Sequence, residues 1–496
     1  MPTIGWGSRP RAAAFTGFLA LLLAGCTDEK IVFREPFNPP PDEGSGLLGY
    51  FTTSDKQTTC GNCHVSHQTD WAVTAHADAY AGLTNSGHAQ DFCFGCHTVN
   101  QLGNPLTEAS GWSVVEDTAY HDVQCESCHG PGAEHVENPD GAPKPLASIV
   151  VSLDATNGCA ECHNGAHHPF VEEWTQSAHA TPNSHVLERD PAEAADCTPC
   201  HTAQGALAAW GVNTEYLEKG DALPDQEGIT CSVCHDPHGA AGTEGQLRYA
   251  VDVPSIEQNL CAKCHQRRSQ PEIESGSTRG PHSPEAPLLF GEIVGWVPPG
   301  FNPGANEVLS THGTTANPRV CATCHVVNYE VTDTADLFQV QVVGHRFEAI
   351  PCVDANGAPL PADSPCDATT PLTQRDFTNG CTTSGCHGSA EAARSAYTTA
   401  KTRIQTLIDE TNARLAQVPD TEFTDTTRFT VAEGVQFNVE LAELPGSPIH
   451  NPFLIEQLLL ASQAALDSAY NLTGPGVVDM KRIEEYRRLR VDGKGR

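Results

Sequence analysis

The sequence predicts a mainly α chain with much irregular loop, whose interior is not filled by side chains alone. Three observations predict this. Only 39% of the 496 residues are hydrophobic, against 43 Gly and 36 Pro, which is thin material for conventional cores throughout. Short cysteine–histidine strings recur from residue 60 to 387 and leave strands little room. Helical apolar spacing is clearest after residue 387, where the cysteines stop.

The length admits two or three ordinary domains. With 28 Lys+Arg against 62 Asp+Glu, the net charge is -34. That excludes nucleic acid as a partner class, because phosphate binding needs a basic face. It suits a solvated, exported protein that meets cations or basic partners. Residues 1–25 read as a secretory signal: Arg9 and Arg11 precede the apolar run AAAFTGFLALLLA (12–24), which is too short to span a membrane comfortably. LAGC (23–26) resembles the bacterial lipobox, making Cys26 the expected lipidated residue of the mature chain. Thr27 follows it where Asp is absent, which by the enterobacterial rule sorts a lipoprotein to the outer membrane, on its periplasmic or cell-surface face. Residues 26–50 are Pro-rich and polar, an extended tether.

There are 21 cysteines, an odd count that Cys26 explains. Sixteen fall in eight C-x-x-C-H strings: CGNCH (60–64), CFGCH (93–97), CESCH (125–129), CAECH (159–163), CTPCH (197–201), CSVCH (231–235), CAKCH (261–265) and CATCH (321–325). Composition alone would give on the order of 0.04 such strings. Two thiols so spaced add across the two vinyl groups of a haem, and the next histidine reaches the iron. Zinc sites pair two cysteine clusters into one tetrahedron and do not require a histidine after each. Thioredoxin-like pairs do not come eight at a time. The expected thioether ligands are therefore Cys60, Cys63, Cys93, Cys96, Cys125, Cys128, Cys159, Cys162, Cys197, Cys200, Cys231, Cys234, Cys261, Cys264, Cys321 and Cys324. The proximal ligands are His64, His97, His129, His163, His201, His235, His265 and His325.

Four cysteines remain. CTTSGCH (381–387) has a longer gap, but Cys261 to Cys321 and Cys321 to Cys381 are each 60 residues, so a further site is due there. Cys381, Cys386 and His387 are accordingly expected to hold a ninth haem. Cys352 and Cys366 have no following histidine and read as a disulfide in an oxidising compartment. Pairing Cys366 with Cys381 instead would strand two cysteines.

Met1 and Met480 are the only methionines, so second axial ligands must be sought among the other 14 histidines. Bis-imidazole ligation favours electron transfer over ligand binding and gives lower potentials than His/Met. WAVTAHA (71–77) and WTQSAHA (174–180) are one repeated element, each lying between two haem strings. Site spacings of 33 and 32 residues, then 38 and 34, mark a three-site module present twice. His76 and His179 are therefore equivalent distal candidates. His135 and His238, each closely following a third site, form the next pair; His67 with His167 or His168 is another. His88, His121 and His185 carry less support, and an exposed surface histidine is the alternative for any one of them.

The segments VQCESCHGPGAEH (123–135), CAECHNGAHHPFVEEW (159–174), RGPHSPEA (279–286), STHGTTANPRVCATCH (310–325), GHRF (344–347) and SPIHNPFLIEQLLLAS (447–462), with the W-x-x-S/T-x-H-A repeats, resemble the multihaem cytochrome c superfamily over about 50–496. That superfamily includes tetrahaem carriers of hydroxylamine oxidation, octahaem reductases and oxidoreductases, and pentahaem nitrite reductases. The resemblance implies short helices and loops wrapped around closely packed haems, then a helical tail, and makes His282, His312, His345 and His450 look like distal ligands. The candidate distal set is thus His76, His135, His168, His179, His238, His282, His312, His345 and His450. No C-x-x-C-K string of the nitrite reductases is present, and nothing establishes the tyrosine–haem crosslink of the hydroxylamine oxidoreductases.

The expected organisation is a signal (1–25), a tether (26–50), a multihaem region (51–387) with modules at about 51–158 and 159–258 followed by 259–387, and a helical segment (388–496). Within the last, residues 388–417 and 451–471 have helical patterns, the first stopped by Pro419 and the second started by Asn451-Pro452. The expected function is an exported, lipid-anchored carrier of nine haems c with their iron, an electron relay rather than an enzyme. Its partners would be other cytochromes and the membrane, with an extracellular acceptor. The alternatives are a reductase of nitrogen or sulfur oxyanions with one open iron, and a subunit of a cytochrome filament.

Overall fold

The computed structural model describes residues 39–472, apart from 155–156, 213–214, 240–243, 274–278, 303–307, 362–363, 365, 368, 384 and 425–427. The signal, Cys26 and the tether up to residue 38 lie outside the described residues. The fold is mostly helical with irregular loops. Among the described residues, no helix is long and apolar enough to cross a membrane.

Up to residue 387, structure comes in short pieces. Helices such as Val65–Trp71, Ala79–Asn85 and Ala203–Trp210 run seven or eight residues, and many sites start on a single helical turn. Strands make two antiparallel pairs, β1 (Tyr50–Thr52) with β2 (Gln57–Thr58), and β3 (Tyr329–Thr332) with β4 (Phe338–Val342). Tyr329 faces Val342 and Val331 faces Val340 across the second pair.

The two modules fold alike at the repeated tryptophan. Trp71 Nε1 donates to the Val123 carbonyl at 2.9 Å, and Trp174 Nε1 donates to the Ile229 carbonyl at 2.9 Å. Each acceptor lies two residues before a third-site cysteine. The same residue's amide returns a bond to the repeated histidine: Val123 N to His76 O at 3.1 Å, Ile229 N to His179 O at 2.9 Å. One sequence element thus makes one local structure twice, and ties the middle of each module to its end.

The tail is built differently. We label α1 Glu285–Phe290, α2 Ala390–Leu415, α3 Val431–Glu443 and α4 Pro452–Tyr470. Ser389 caps α2, and Asn451 caps α4 with Pro452 at its first turn. Helix α3 begins with a capping box of Thr430 and Glu433. Ile404, Leu407 and Ile408 of α2 pack with Val435 and Val439 of α3 and Leu454, Leu458 and Leu459 of α4. Leu288, Val294, Phe301 and Val308 join the same core, so the largest core crosses residue 387. Buried polar groups lock this layer: Asn438 accepts from Trp296 N at 2.7 Å and donates to Trp296 O at 2.8 Å, and Gln463 donates to Leu407 O and Thr411 Oγ1. Cys352 and Cys366 form a disulfide.

Gly434 lets Trp296 lie against α3. A Cβ there would stand 2.2 Å from Trp296 Cδ2. Gly434→Ala should therefore destabilise the tail. Helix propensity would gain about 1 kcal/mol, but overpacking costs roughly 1–3 kcal/mol, and Asn438 holds the Trp296 backbone in place. The denaturation midpoint should fall, with Trp296 fluorescence reporting the change.

Candidate haem-binding sites

We number the attachment sites 1 to 9 along the chain, from Cys60–His64 to Cys381–His387. In the regular strings the histidine amide folds back on the first cysteine: His64, His129, His163, His235 and His265 donate to the carbonyls of Cys60, Cys125, Cys159, Cys231 and Cys261 at 2.9–3.0 Å. In CTTSGCH, His387 N donates to Cys381 O at 3.3 Å. The bond from the histidine to its first cysteine is thus kept.

Eight of the nine motif histidines have a second histidine beside them. Between ring centroids, His64 stands 6.5 Å from His135, His129 6.0 Å from His238, His163 6.1 Å from His76, and His201 6.0 Å from His282. His235 stands 6.2 Å from His345, His265 6.3 Å from His179, His325 6.3 Å from His450, and His387 6.3 Å from His312. His97, the ninth, lies within electrostatic reach of both His168 and His76. A metal–imidazole bond is about 2 Å, so two imidazoles on opposite sides of one iron have centroids about 6 Å apart. The residues present therefore fit haem iron. Among the described residues, no group of three or more His, Cys, Asp or Glu gathers as a bare metal ion would need.

Hydrogen bonds orient the rings. Nδ1 of His97, His129 and His325 each donates at 2.8 Å to a backbone carbonyl, of Ala79, Pro145 and Phe347. His312 and His345 donate likewise at 3.0 Å to Ile449 and Val343. A carbonyl only accepts, so Nδ1 carries the proton and Nε2 keeps its lone pair for a metal. Burial lowers the pKa of His163, His179 and His450 to about 4, which keeps these imidazoles neutral. The buried Nδ1 atoms of His135 and His450 have no hydrogen-bond partner among the described residues.

His345 is also held from its backbone. Glu173 accepts from Val343 N at 2.8 Å and from His345 N at 2.7 Å. Glu173→Ala should leave two amides unsatisfied, at roughly 1–3 kcal/mol each, and loosen the ring facing His235. The expected readout in haem-loaded protein is a broadened or shifted low-spin signal from one iron.

The repeat equated His135 with His238, but the structure brings them to different sites, His135 to site 1 and His238 to site 3. The equivalence of His76 with His179 extends to their neighbours: each faces the first site of the following module. His67 lies 4.6 Å from His238 and 6.4 Å from His64. His167 stacks on Phe338 at 4.4 Å, and His121 on Tyr80 at 3.5 Å. His185 bonds Arg189 at 2.7 Å. The sequence reading missed the orienting role of Glu173, whose only signal is an acidic residue in FVEEW (170–174).

Residues 59–130 match the family model of cytochrome c554 and c-prime, and residues 224–270 match that of the doubled CXXCH motif. The chain belongs to the multihaem c-type cytochromes. This multihaem cytochrome is 28% identical over 203 residues to the multiheme cytochrome MtrA of Shewanella baltica (strain OS185), covering 37% of this chain and 54% of that protein. It is 28% identical over 295 residues to the C-type polyheme cytochrome OmcB of Geobacter sulfurreducens (strain DL-1 / KN400), covering 53% of this chain and 35% of that one. It thus spans about half the length of the first relative and a third of the second. The crystal structure of the outer cell wall cytochrome OcwA aligns over 75% of each chain at 21% identity, with a TM-score of 0.48.

Proposed function

We propose that this cytochrome carries nine haems c, each iron held between two histidines, and relays electrons at the cell envelope. The motif cysteines, including Cys381 and Cys386, form the thioethers. His64, His97, His129, His163, His201, His235, His265, His325 and His387 are the proximal ligands. Their distal partners are, in the same order, His135, His168, His238, His76, His282, His345, His179, His450 and His312. Bound haem supplies one-electron ferric/ferrous chemistry; the protein fixes spacing, orientation and solvent exclusion.

The observation that carries this reading is that eight of the nine motif histidines have a histidine neighbour at 6.0–6.5 Å between centroids. An iron with both faces occupied favours passing electrons over binding substrate. The protein is exported and anchored at the outer membrane through lipid on Cys26. It exchanges electrons with other cytochromes, and through them or directly with an extracellular acceptor. The intact mass of the purified mature protein tests the count and the anchor together. Nine haem increments and a lipidated N-terminal cysteine are expected, and eight increments would remove CTTSGCH from the set.

A further inference from the structure

Resting on that reading, we infer that the nine sites are wired not in chain order but as a trunk, 1–3–4–6–7–8–9, with site 2 a side branch on site 4 and site 5 a side branch on site 7. The inference comes from which attachment residues of different sites touch.

Consider the first module. The thiols of Cys60 and Cys125 are in contact, and Thr58, whose hydroxyl accepts from Gly61 N, lies 3.8 Å from Cys125 Sγ, joining sites 1 and 3. The ring facing site 1, His135, lies on the helix Ala133–Glu137, directly after site 3. Site 3 meets site 4 at Gly103. Gly158 N donates to Gly103 O at 2.9 Å, and a Cβ on Gly103 would stand 2.4 Å from Ser127 O, so Cys128 and Cys159 belong to neighbouring turns. Site 2 meets site 4: the thiols of Cys96 and Cys162 touch, and Glu161 accepts from Gly103 N at 2.5 Å.

The second module repeats each junction three sites later. Cys159 and Cys231 touch, and Phe170 lies 5.5 Å from His163 and 5.0 Å from His345, joining sites 4 and 6. Phe347 lies 5.8 Å from His345 and 4.5 Å from His179, joining sites 6 and 7. Cys200 and Cys264 touch, and Cys264 Sγ is 4.0 Å from Pro199 O, joining sites 5 and 7. Junctions 1–3, 3–4 and 2–4 thus recur as 4–6, 6–7 and 5–7. Two copies of a module that differ in sequence give one pattern.

Beyond the modules the trunk runs straight. Cys261 and Cys321 touch, joining sites 7 and 8. Helix α1 receives the same junction: its Ala286 N donates to His265 O at 2.8 Å, and its Leu288 O accepts from Asn451, the residue after His450. Cys324 Sγ is 4.0 Å from Gly380 O, and His312 Nδ1 donates to Ile449 O beside His450, joining sites 8 and 9.

The consequence is a division of labour. Electrons crossing between sites 1 and 9 need not visit sites 2 or 5, which serve as lateral ports. At site 2 the port faces solvent, since Phe92 beside Cys93 is 81% exposed. Diffraction at the iron absorption edge from crystals of the haem-loaded full chain locates each iron without reference to activity. The expected result is one near iron neighbour for sites 2 and 5, and three for sites 4 and 7. Iron 2 between irons 1 and 3, or iron 5 between irons 4 and 6, would overturn the wiring. Fewer than nine irons would count instead against the nine-haem reading, and the order of those remaining would still decide the wiring.

Discussion

Produced in a host that cannot attach haem, the chain should lose ordered structure over residues 59–280 while α1, α2, α3 and α4 keep theirs. The reason is where apolar burial lies. The core of α2–α4 holds nineteen buried hydrophobic residues, whereas the next cluster, around Ile149 and Leu207, holds six, and that around Leu47 and Tyr120 three. Clusters of that size do not offset the ordering entropy of the loops between them. The haems supply the missing apolar contact and cross-link the chain at each site. Limited proteolysis should leave a resistant fragment beginning near α1, since Leu288, Val294, Phe301 and Val308 belong to the resistant core. Protection of residues 59–280 in haem-free protein would show that these small clusters suffice.

His450→Ala should open one iron. His450 ends the short helix Ser447–His450, is buried, and faces His325 at 6.3 Å between centroids. No other histidine is positioned to replace it: His312 is the next neighbour, and it faces His387. In the haem-loaded variant one iron should turn high-spin, its potential should rise, and the others should keep their signals. Truncation should also cost on the order of 1–3 kcal/mol from lost packing beside α4. His185→Ala is the control. His185 is exposed and bonds only its helix neighbour Arg189 among the contacts described, so the spectrum should not change.

Much of this was legible in the sequence because covalent chemistry writes itself at fixed spacing. C-x-x-C-H needs adjacent residues, so sites 1 to 8 stand out without any fold. The expectation of a ninth site rests on its 60-residue interval and not on its local pattern. The proposed distal ligands come from afar, and only their inventory could be read. The partner of His163 is 87 residues upstream, at His76, and that of His129 is 109 residues downstream, at His238. The repeat matched His135 with His238 because both follow a third site, but the histidine six residues beyond His129 stands beside His64 and the one three residues beyond His235 stands beside His129. In the tail, α2 and α4 were visible from their apolar spacing and caps. Helix α3 was missed because Gly434 and the β-branched residues of VAEGVQFNVE disguise it, although Thr430 and Glu433 carried its capping signal.

The central claim is that nine irons each lie between two histidines. The electron paramagnetic resonance spectrum of the fully oxidised, haem-loaded protein tests it most directly. Low-spin signals integrating to nine irons per chain, with no high-spin component, are the predicted result. A stoichiometric high-spin signal in the unmodified protein would contradict the account and point to an open iron, with nitrite, hydroxylamine and tetrathionate as the first substrates to try.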